Sequence, residues 1–151
     1  MRFEIRSFAN VGPLSWGMSP REVAFAIGIP TQASKNSNGD LVELREADMI
    51  SCTYILPQKK LVEVGFSRIG GIAIFDSIDL NAEPAKRVLT ELIRRDPNAV
   101  RGFDTFVFPA LGLSLTGYYP ELLDTKAATA FAPGQWDELI PLMKERLPKL
   151  G

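Results

Sequence analysis

Histidine is absent from this chain of 151 residues, and cysteine occurs once, at position 52. Histidine is the commonest metal ligand and the side chain that normally titrates near neutral pH, so its absence excludes Ser-His-Asp and Cys-His catalysis. A single cysteine excludes an internal disulfide and a zinc site built from thiolates. We therefore predict that the protein is not an enzyme and that it holds neither a metal nor a cofactor.

An excess of charge of one sign is also lacking, because 17 basic side chains oppose 18 acidic ones and leave a net charge of −1. Such a chain has no long-range positive field with which to hold a phosphate backbone, so we expect no direct binding of nucleic acid. No run approaches the ~20 apolar residues of a membrane span. Arg2, Glu4 and Arg6 interrupt any signal-peptide core, and we expect a cytoplasmic protein.

The composition itself is that of a folded domain. Hydrophobic residues make up 46% of the chain and charged residues 23%, close to the averages of about 45–50% and about 25% for soluble globular proteins. The length suits one domain with a sizeable core. We predict a single α+β domain over residues 1–151, and the sequence leaves its oligomeric state open.

Three segments have the pattern of a helix. Ser19 before Pro20, with Glu22 three residues after the serine, forms a capping box, and Gly28 ends a helix near 19–28. Apolar residues at helical spacing predict a second helix near 82–95 and a third near 137–147. The apolar face of the second helix is formed by Val88, Leu89, Leu92 and Ile93. That of the third is formed by Trp136, Ile140, Met143 and Leu147.

Six apolar runs bounded by turn residues predict strands. They cover residues 41–45, 50–55, 61–66, 103–108, 113–116 and 127–131. We expect an antiparallel sheet of about six or seven strands with flanking helices. A helix, a loop and three strands occur twice in this order, which predicts a tandem pseudo-repeat with halves of about 12–75 and 76–151. One core is expected to join the halves through Phe66, Val88, Leu92, Phe106, Leu113 and Phe131.

The segment 17–23, Gly-Met-Ser-Pro-Arg-Glu-Val, followed by Gly-Ile-Pro at 28–30, resembles the opening of small bacterial α/β repeat proteins. These are similar to the β-lactamase inhibitory protein and the BamE-like outer-membrane lipoproteins. The paired runs 50–54 and 61–66, with the later segment 108–115, resemble cytosolic immunity proteins of bacterial polymorphic or contact-dependent toxin systems. This resemblance implies a protein that binds and neutralises a cognate toxin domain, and it implies toxins that are often nucleases.

Two other functions stay open. One is a non-catalytic assembly or adaptor module of BamE-like fold. The other is a small ligand-binding protein or an enzyme, which would use the carboxylates of Glu43, Glu46, Asp48 and Glu63 in a cleft. Strand carboxylates that face outward usually contribute only to solubility, which favours the binding functions.

Residues 116–124 give the candidate binding surface, because two tyrosines and two acids fall in a predicted strand end and loop. We predict that Tyr118, Tyr119, Glu121 and Asp124 bind the partner, with Glu43 and Glu46 as a second cluster. Acidic groups would complement the basic active face of a nuclease. The structural alternative is that Tyr118 or Tyr119 only closes the core. We interpret Cys52 as a buried core residue and the Gly70-Gly71 pair as a turn or bulge.

Overall fold

The fold is α+β in a computed structural model that describes residues 1–67 and 72–150. The described residues form two α-helices and thirteen short strands, and the strands lie in a five-stranded and an eight-stranded sheet. The α+β class predicted from the sequence is confirmed, although the strands are more numerous and form two sheets. The Gly70-Gly71 pair, predicted to form a turn or bulge, lies outside the described residues.

Helix α1, Pro20–Ile27, begins where the sequence predicts. The Ser19 side-chain oxygen accepts a hydrogen bond from the Glu22 backbone N–H at 3.1 Å, and Glu22 Oε1 accepts one from the Ser19 N–H at 3.1 Å. Gly28 ends the helix at a φ of 97°, a conformation that costs a glycine little. The predicted capping box is therefore confirmed.

Ser19→Ala is expected to lower the free energy of unfolding by about 1 kcal/mol, the usual loss when an N-cap side chain is removed. Chemical denaturation measures the change. Ser37→Ala is the control, because Ser37 is an exposed loop residue outside any helix. Equal effects of the two substitutions would contradict the role of Ser19.

Helix α2, Ala85–Arg95, buries Ala85, Val88, Leu89 and Leu92 on one face. It starts later than the predicted residue 82, because Pro84 occupies the N-cap. The buried carboxylate of Asp96 ends it by accepting backbone hydrogen bonds from Asn98 and Ala110, both at 2.8 Å. Asp96 thereby ties the end of α2 to the loop that contains Ala110.

The eight-stranded sheet is antiparallel throughout and follows the order β10-β11-β12-β13-β7-β6-β5-β4. Its strands are β4 (Gln32–Lys35), β5 (Leu41–Arg45), β6 (Ile50–Ile55), β7 (Lys60–Ser67), β10 (Val100–Gly102), β11 (Thr105–Phe108), β12 (Leu113–Thr116) and β13 (Ala127–Phe131). Each helix is followed by four of these strands rather than the predicted three, and the two groups meet where β13 pairs with β7. The internal repeat itself stays a prediction.

The five-stranded sheet follows the order β3-β2-β1-β8-β9. Its strands are β1 (Arg2–Arg6), β2 (Asn10–Val11), β3 (Leu14–Ser15), β8 (Ile72–Phe75) and β9 (Ile78–Asp79). β1 pairs with β8 in parallel, which departs from the predicted antiparallel arrangement. Phe3 and Ile5 alternate with exposed residues along β1 and face the core.

The main core joins both sheets and α2, and the rings of Phe3 and Phe66 lie 5.3 Å apart within it. Five of the six predicted core residues lie in this cluster, namely Phe66, Val88, Leu92, Phe106 and Leu113. The prediction for Phe131 is wrong. Its neighbour Ala130 pairs with Val64 on the inner face of the eight-stranded sheet, so strand alternation places Phe131 on the outer face. There it packs with Val107 and Met143.

The predicted third helix over 137–147 is wrong. Only a 3₁₀ helix at Ile140–Leu142 forms there. Pro141 lacks the backbone N–H that a longer α-helix would need. The chain then turns back along β10, where the Glu145 N–H donates to the Arg101 carbonyl oxygen at 2.9 Å.

Candidate functional site

The loop 117–126, between β12 and β13, is held to the core at its start by Tyr118. The Tyr118 ring is buried, and its hydroxyl lies 2.6 Å from the Leu80 carbonyl oxygen and 3.0 Å from Asn81 Oδ1. Asn81 Nδ2 in turn donates to the carbonyl oxygens of Phe66 and Ser67 at 3.1 Å each. Burial raises the pKa of the Tyr118 phenol, so the hydroxyl stays protonated as a donor.

Lys126 holds the other end of the loop. Its side chain is buried, and Nζ donates to the Glu83 carbonyl oxygen at 2.8 Å and to Glu121 Oε2 at 2.9 Å. Nζ also lies 4.9 Å from the centre of the Tyr118 ring, within the range of a cation–π interaction. The two ends of the loop are therefore joined to each other as well as to the core.

Glu121 connects the loop to α2. Its Oε2 accepts a hydrogen bond from the Ala85 N–H at 3.3 Å, at the first residue of a helix whose own N-cap, Pro84, supplies no side-chain bond. Lys126 and this N–H lower the pKa of Glu121, so the carboxylate is ionised at neutral pH. A negative group at this position also suits the positive end of the helix dipole.

The anchored loop exposes three large side chains: Tyr119 is 45% exposed, Leu122 is 52% exposed and Leu123 is 55% exposed. The Arg101 guanidinium lies 5.1 Å from the Tyr119 ring centre and restricts its position. Asp124 follows the leucines and is exposed. The loop thus presents an apolar surface with an acidic residue beside it, which we call the display loop, residues 117–126.

The structure brings together some of the predicted partner-binding residues and separates others. Tyr119, Glu121 and Asp124 are exposed on the display loop, whereas the predicted exposure of Tyr118 is wrong because its ring completes the core. Sequence reasoning missed Leu122 and Leu123. The sequence did carry a signal of their exposure, namely two leucines after a proline within a polar segment. Such residues have no helix or strand face on which to be buried.

The two residues of the second predicted cluster, Glu43 and Glu46, differ in exposure. Glu46 is exposed after the end of β5, whereas Glu43 is buried on the inner face, so its predicted exposure is wrong. Glu43 Oε1 lies 3.7 Å from Arg45 Nη2, and Arg45 Nε donates to the Gly28 carbonyl oxygen at 2.9 Å. Within the described residues, Arg45 Nη1 and Nη2 have no hydrogen-bond partner. Glu43 thus balances a buried charge rather than offering a surface.

Cys52 lies beside this pair and is buried, as predicted. Burial raises the pKa of its thiol to about 11. The thiol is therefore protonated at neutral pH, and a protonated buried thiol is a poor nucleophile.

Glu63 faces the opposite side of the sheet from Glu43, because it pairs with Thr53 and Phe131. Gln135 Nε2 donates to Glu63 Oε2 at 2.9 Å. Burial raises the pKa of Glu63, since the charged carboxylate loses solvation. Among residues 1–67 and 72–150, no group of three or more acidic or cysteine side chains is placed to hold a metal.

Glu63→Gln is expected to gain stability relative to the wild type as the pH rises from about 4 to 7. The pKa of Glu63 is higher in the folded state than its value of about 4.3 in the unfolded state. The stabilising contribution of the protonated carboxyl is therefore complete below about pH 4.3. It is lost as the pH rises through the folded-state pKa. Urea denaturation across this pH range measures the difference, and a difference independent of pH would contradict the effect.

A cleft of about 770 Å³ beside α2 is large enough for a small ligand. Its carboxylates are held by arginines: Arg87 Nε lies 3.3 Å from Glu83 Oε1, and Arg95 Nε lies 2.8 Å from Glu91 Oε1. Hydrogen bonds from Arg94 and Arg95 lower the pKa of Glu91 to about 2. Glu91 is therefore ionised at neutral pH, and the cleft gives little support to acid–base chemistry.

Comparison of the chain with models of known protein families, with curated proteins and with solved structures finds no match. The resemblance to immunity proteins and to BamE-like proteins therefore stays a prediction. None of the helices in the described residues has the length and apolar character needed to cross a membrane.

Proposed function

We propose that this protein binds another protein through the display loop, and that the partner is a bacterial toxin domain that it neutralises. One observation carries the proposal of protein binding. Tyr118 and Lys126 fix the loop to the core, while Tyr119, Leu122 and Leu123 extend into solvent. Folding leaves about half of the surface of each of these three side chains exposed, and a partner would remove that apolar surface from water.

The anchoring favours affinity. A loop that is already ordered loses little conformational entropy on binding, so more of the contact energy remains as binding free energy. Tyrosine is common among the residues that dominate interface energies, because it supplies a large contact area with few rotatable bonds. Tyr119 is restrained further by Arg101, which lies over its ring.

The exposed carboxylate of Asp124, beside the leucines, suits a partner with a basic surface. The charge of Glu121 is offset by Lys126, whose Nζ lies 2.9 Å from its Oε2. Because the net charge is only −1, the charge of Asp124 is local rather than part of a global field. It would raise the association rate with a basic active face, such as that of a nuclease, and salt would weaken the effect.

The neutralising role is supported by the resemblance of the segments 50–54, 61–66 and 108–115 to immunity proteins. Inhibition by occlusion needs no catalytic residue, so a chain without histidine is suited to it. An adaptor of BamE-like fold would also bind through an exposed loop. The two functions differ in whether the partner is toxic when it is produced alone.

The test begins with capture of partners from the source cells by the wild-type chain and by the triple variant Tyr119→Ala, Leu122→Ala, Leu123→Ala. Ile55→Ala is the matched control, because Ile55 is also exposed but lies at the end of β6. A partner retained by the wild type and the control, and lost with the triple variant, is then produced alone in a bacterial host. We expect growth arrest that the wild-type chain relieves and the triple variant does not.

A captured partner that causes no growth arrest would favour the adaptor function. Equal capture by the triple variant and the wild type would show that the display loop is not the binding surface.

Tyr119→Ala is expected to raise the dissociation rate of the complex with that partner by about tenfold, because a central aromatic contact contributes more than about 1 kcal/mol. Its effect on the association rate should be small, since the substitution changes no charge. Surface plasmon resonance separates the two rates. An unchanged dissociation rate would show that Tyr119 does not lie in the interface.

A further inference from the structure

The turn between β10 and β11 places a large aromatic side chain in solvent. Gly102 pairs with Thr105, so Phe103 and Asp104 form a two-residue hairpin turn, and their φ angles are 53° and 59°. Both values lie in the left-handed region, which asparagine and glycine adopt at little cost and a bulky side chain rarely does. The Phe103 side chain is nonetheless 67% exposed, so packing within the fold compensates little for this strained backbone.

The turn is held in this conformation from both sides. The Phe103 N–H donates to Glu145 Oε2 at 3.1 Å, and the Thr105 hydroxyl donates to the Phe103 carbonyl oxygen at 3.2 Å. The Glu145 N–H is itself bonded to the Arg101 carbonyl oxygen on β10. An ordered backbone therefore presents the Phe103 ring, as the display loop presents Tyr119, and less conformational entropy is lost when such a group binds.

An apolar cavity of about 230 Å³ lies beside this ring. It is lined by Gly102, Phe103, Thr105, Trp136, Leu139 and Met143. Small-molecule sites usually have volumes of about 300–1,000 Å³, so this cavity suits one apolar side chain of a protein better than a free ligand. Residues that dominate protein interfaces typically fill well-packed pockets of this kind on the partner.

The cavity and the display loop lie at the same end of the eight-stranded sheet. Thr105, at the start of β11, pairs with Thr116, the residue before the display loop, and their hydroxyl oxygens are 3.0 Å apart. On β10, the Arg101 guanidinium lies over the Tyr119 ring. β10 and β12 are two strands apart, which is roughly 10 Å at about 4.8 Å per strand. One partner can therefore contact both surfaces.

The size of a protein interface favours a shared partner. A stable interface covers roughly 800 Å² and about 20–30 residues on each side, which is more than the display loop supplies. The turn at Phe103 adds apolar surface next to the loop. Asp104 is exposed beside Phe103, so this surface combines apolar and acidic groups, as the display loop does at Asp124.

We infer, on the basis of the proposed function, that the partner of the display loop also binds Phe103 and the cavity beside it. The Phe103 ring inserts into the partner, and one large apolar side chain of the partner fills the cavity. The partner is then a protein that presents an apolar side chain next to a basic surface.

Phe103→Asn separates binding from folding. Asparagine suits the first position of this type of turn, so the substitution should leave the midpoint of chemical denaturation unchanged or raise it. It should raise the dissociation constant of the complex with the purified partner by about tenfold or more. Leu139→Glu places a charge at the cavity without changing the turn, and it should weaken binding in the same way.

Phe25→Asn is the matched control, because Phe25 on α1 is even more exposed than Phe103. The Gly28 carbonyl oxygen at the end of α1 is bonded to Arg45 on β5, which lies six strands from β10. This substitution should change the dissociation constant by no more than about twofold, as expected for a surface site outside the interface.

Fluorine NMR of the chain labelled with 5-fluorotryptophan tests whether the cavity is filled. Trp136 lines the cavity, whereas Trp16 precedes Gly17, whose N–H is bonded to Leu61 at the opposite end of β7. Addition of the partner should shift the Trp136 resonance and leave the Trp16 resonance in place. Trp16→Phe assigns the two signals.

The outcomes distinguish this second surface from the display loop. Unchanged binding by Phe103→Asn or Leu139→Glu, or an unmoved Trp136 resonance, would overturn the second surface, while failure of the triple display-loop variant to bind would still support the proposed function. A partner that is lost with Phe103→Asn but retained by the triple variant would overturn both. If no captured partner depends on the display loop, the proposed function fails and the shared partner fails with it.

Discussion

Leu92→Ala is expected to lower the free energy of unfolding by about 2–5 kcal/mol, the range for large-to-small changes in a packed core. Leu92 is fully buried on α2 and lies in the cluster that also contains Phe3 and Phe106. Its removal would leave a cavity where the helix meets both sheets. We expect one cooperative transition in chemical denaturation, because the cluster joins residues from both halves of the chain.

Leu123→Ala is the matched control, since the same atoms are removed from a side chain that is 55% exposed. Its effect should stay within about 0.5 kcal/mol. Similar losses for the two variants would contradict the position of Leu92 in the core. Separate transitions for the two halves would contradict a shared core.

Arg45→Leu is expected to lower the free energy of unfolding by about 3–5 kcal/mol, because it leaves the buried carboxylate of Glu43 without its counter-charge. It also removes the hydrogen bond from Nε to the Gly28 carbonyl oxygen at the end of α1. The double variant Glu43→Leu, Arg45→Leu should recover much of this loss, since no isolated charge then remains buried. Denaturation of both single variants and the double variant gives the coupling energy.

Arg2→Leu is the control for this pair, because Arg2 and Glu4 form an ion pair of 3.2 Å whose side chains are both exposed. Exposed pairs contribute about 0–1 kcal/mol. A double variant as unstable as Arg45→Leu would show that the loss comes from packing or from the Gly28 contact rather than from the unpaired charge.

Local signals predicted the start of α1 and one strand pair well, because both depend on residues close in sequence. The capping box of Ser19 and Glu22 and the hairpin of β6 and β7 both formed as predicted. The N-terminal strand β1 was missed although its charged residues alternate with apolar ones, a pattern typical of a half-buried strand. Its pairing partner β8 is some seventy positions away, as Arg2 pairs with Ile72.

The direction of side chains was harder to predict. On β5 the apolar residues Val42 and Leu44 alternate with Glu43 and Arg45, and the pattern favours burial of the apolar pair. The structure buries the charged pair instead. Glu43 and Arg45 neutralise each other, and Arg45 reaches the end of α1, which requires knowledge of the tertiary fold.

The candidate site shows the same limit. Tyr118 and Tyr119 are adjacent in a loop without a regular period, so the sequence could not tell which ring enters the core. The contacts of Tyr118 with Leu80 and Asn81, about forty positions earlier, decide it.

The display loop separates the residues that hold it from the residues that it presents. Tyr118, Glu121 and Lys126 hold the loop to the fold, whereas the side chains at positions 119, 122 and 123 are about half exposed and lie outside the core. Under the proposed function, substitutions at these three positions would change the preferred partner at little cost in stability. A lineage facing a succession of new partners could alter these positions repeatedly on one scaffold, and related chains that share the anchors should differ most at the three exposed positions.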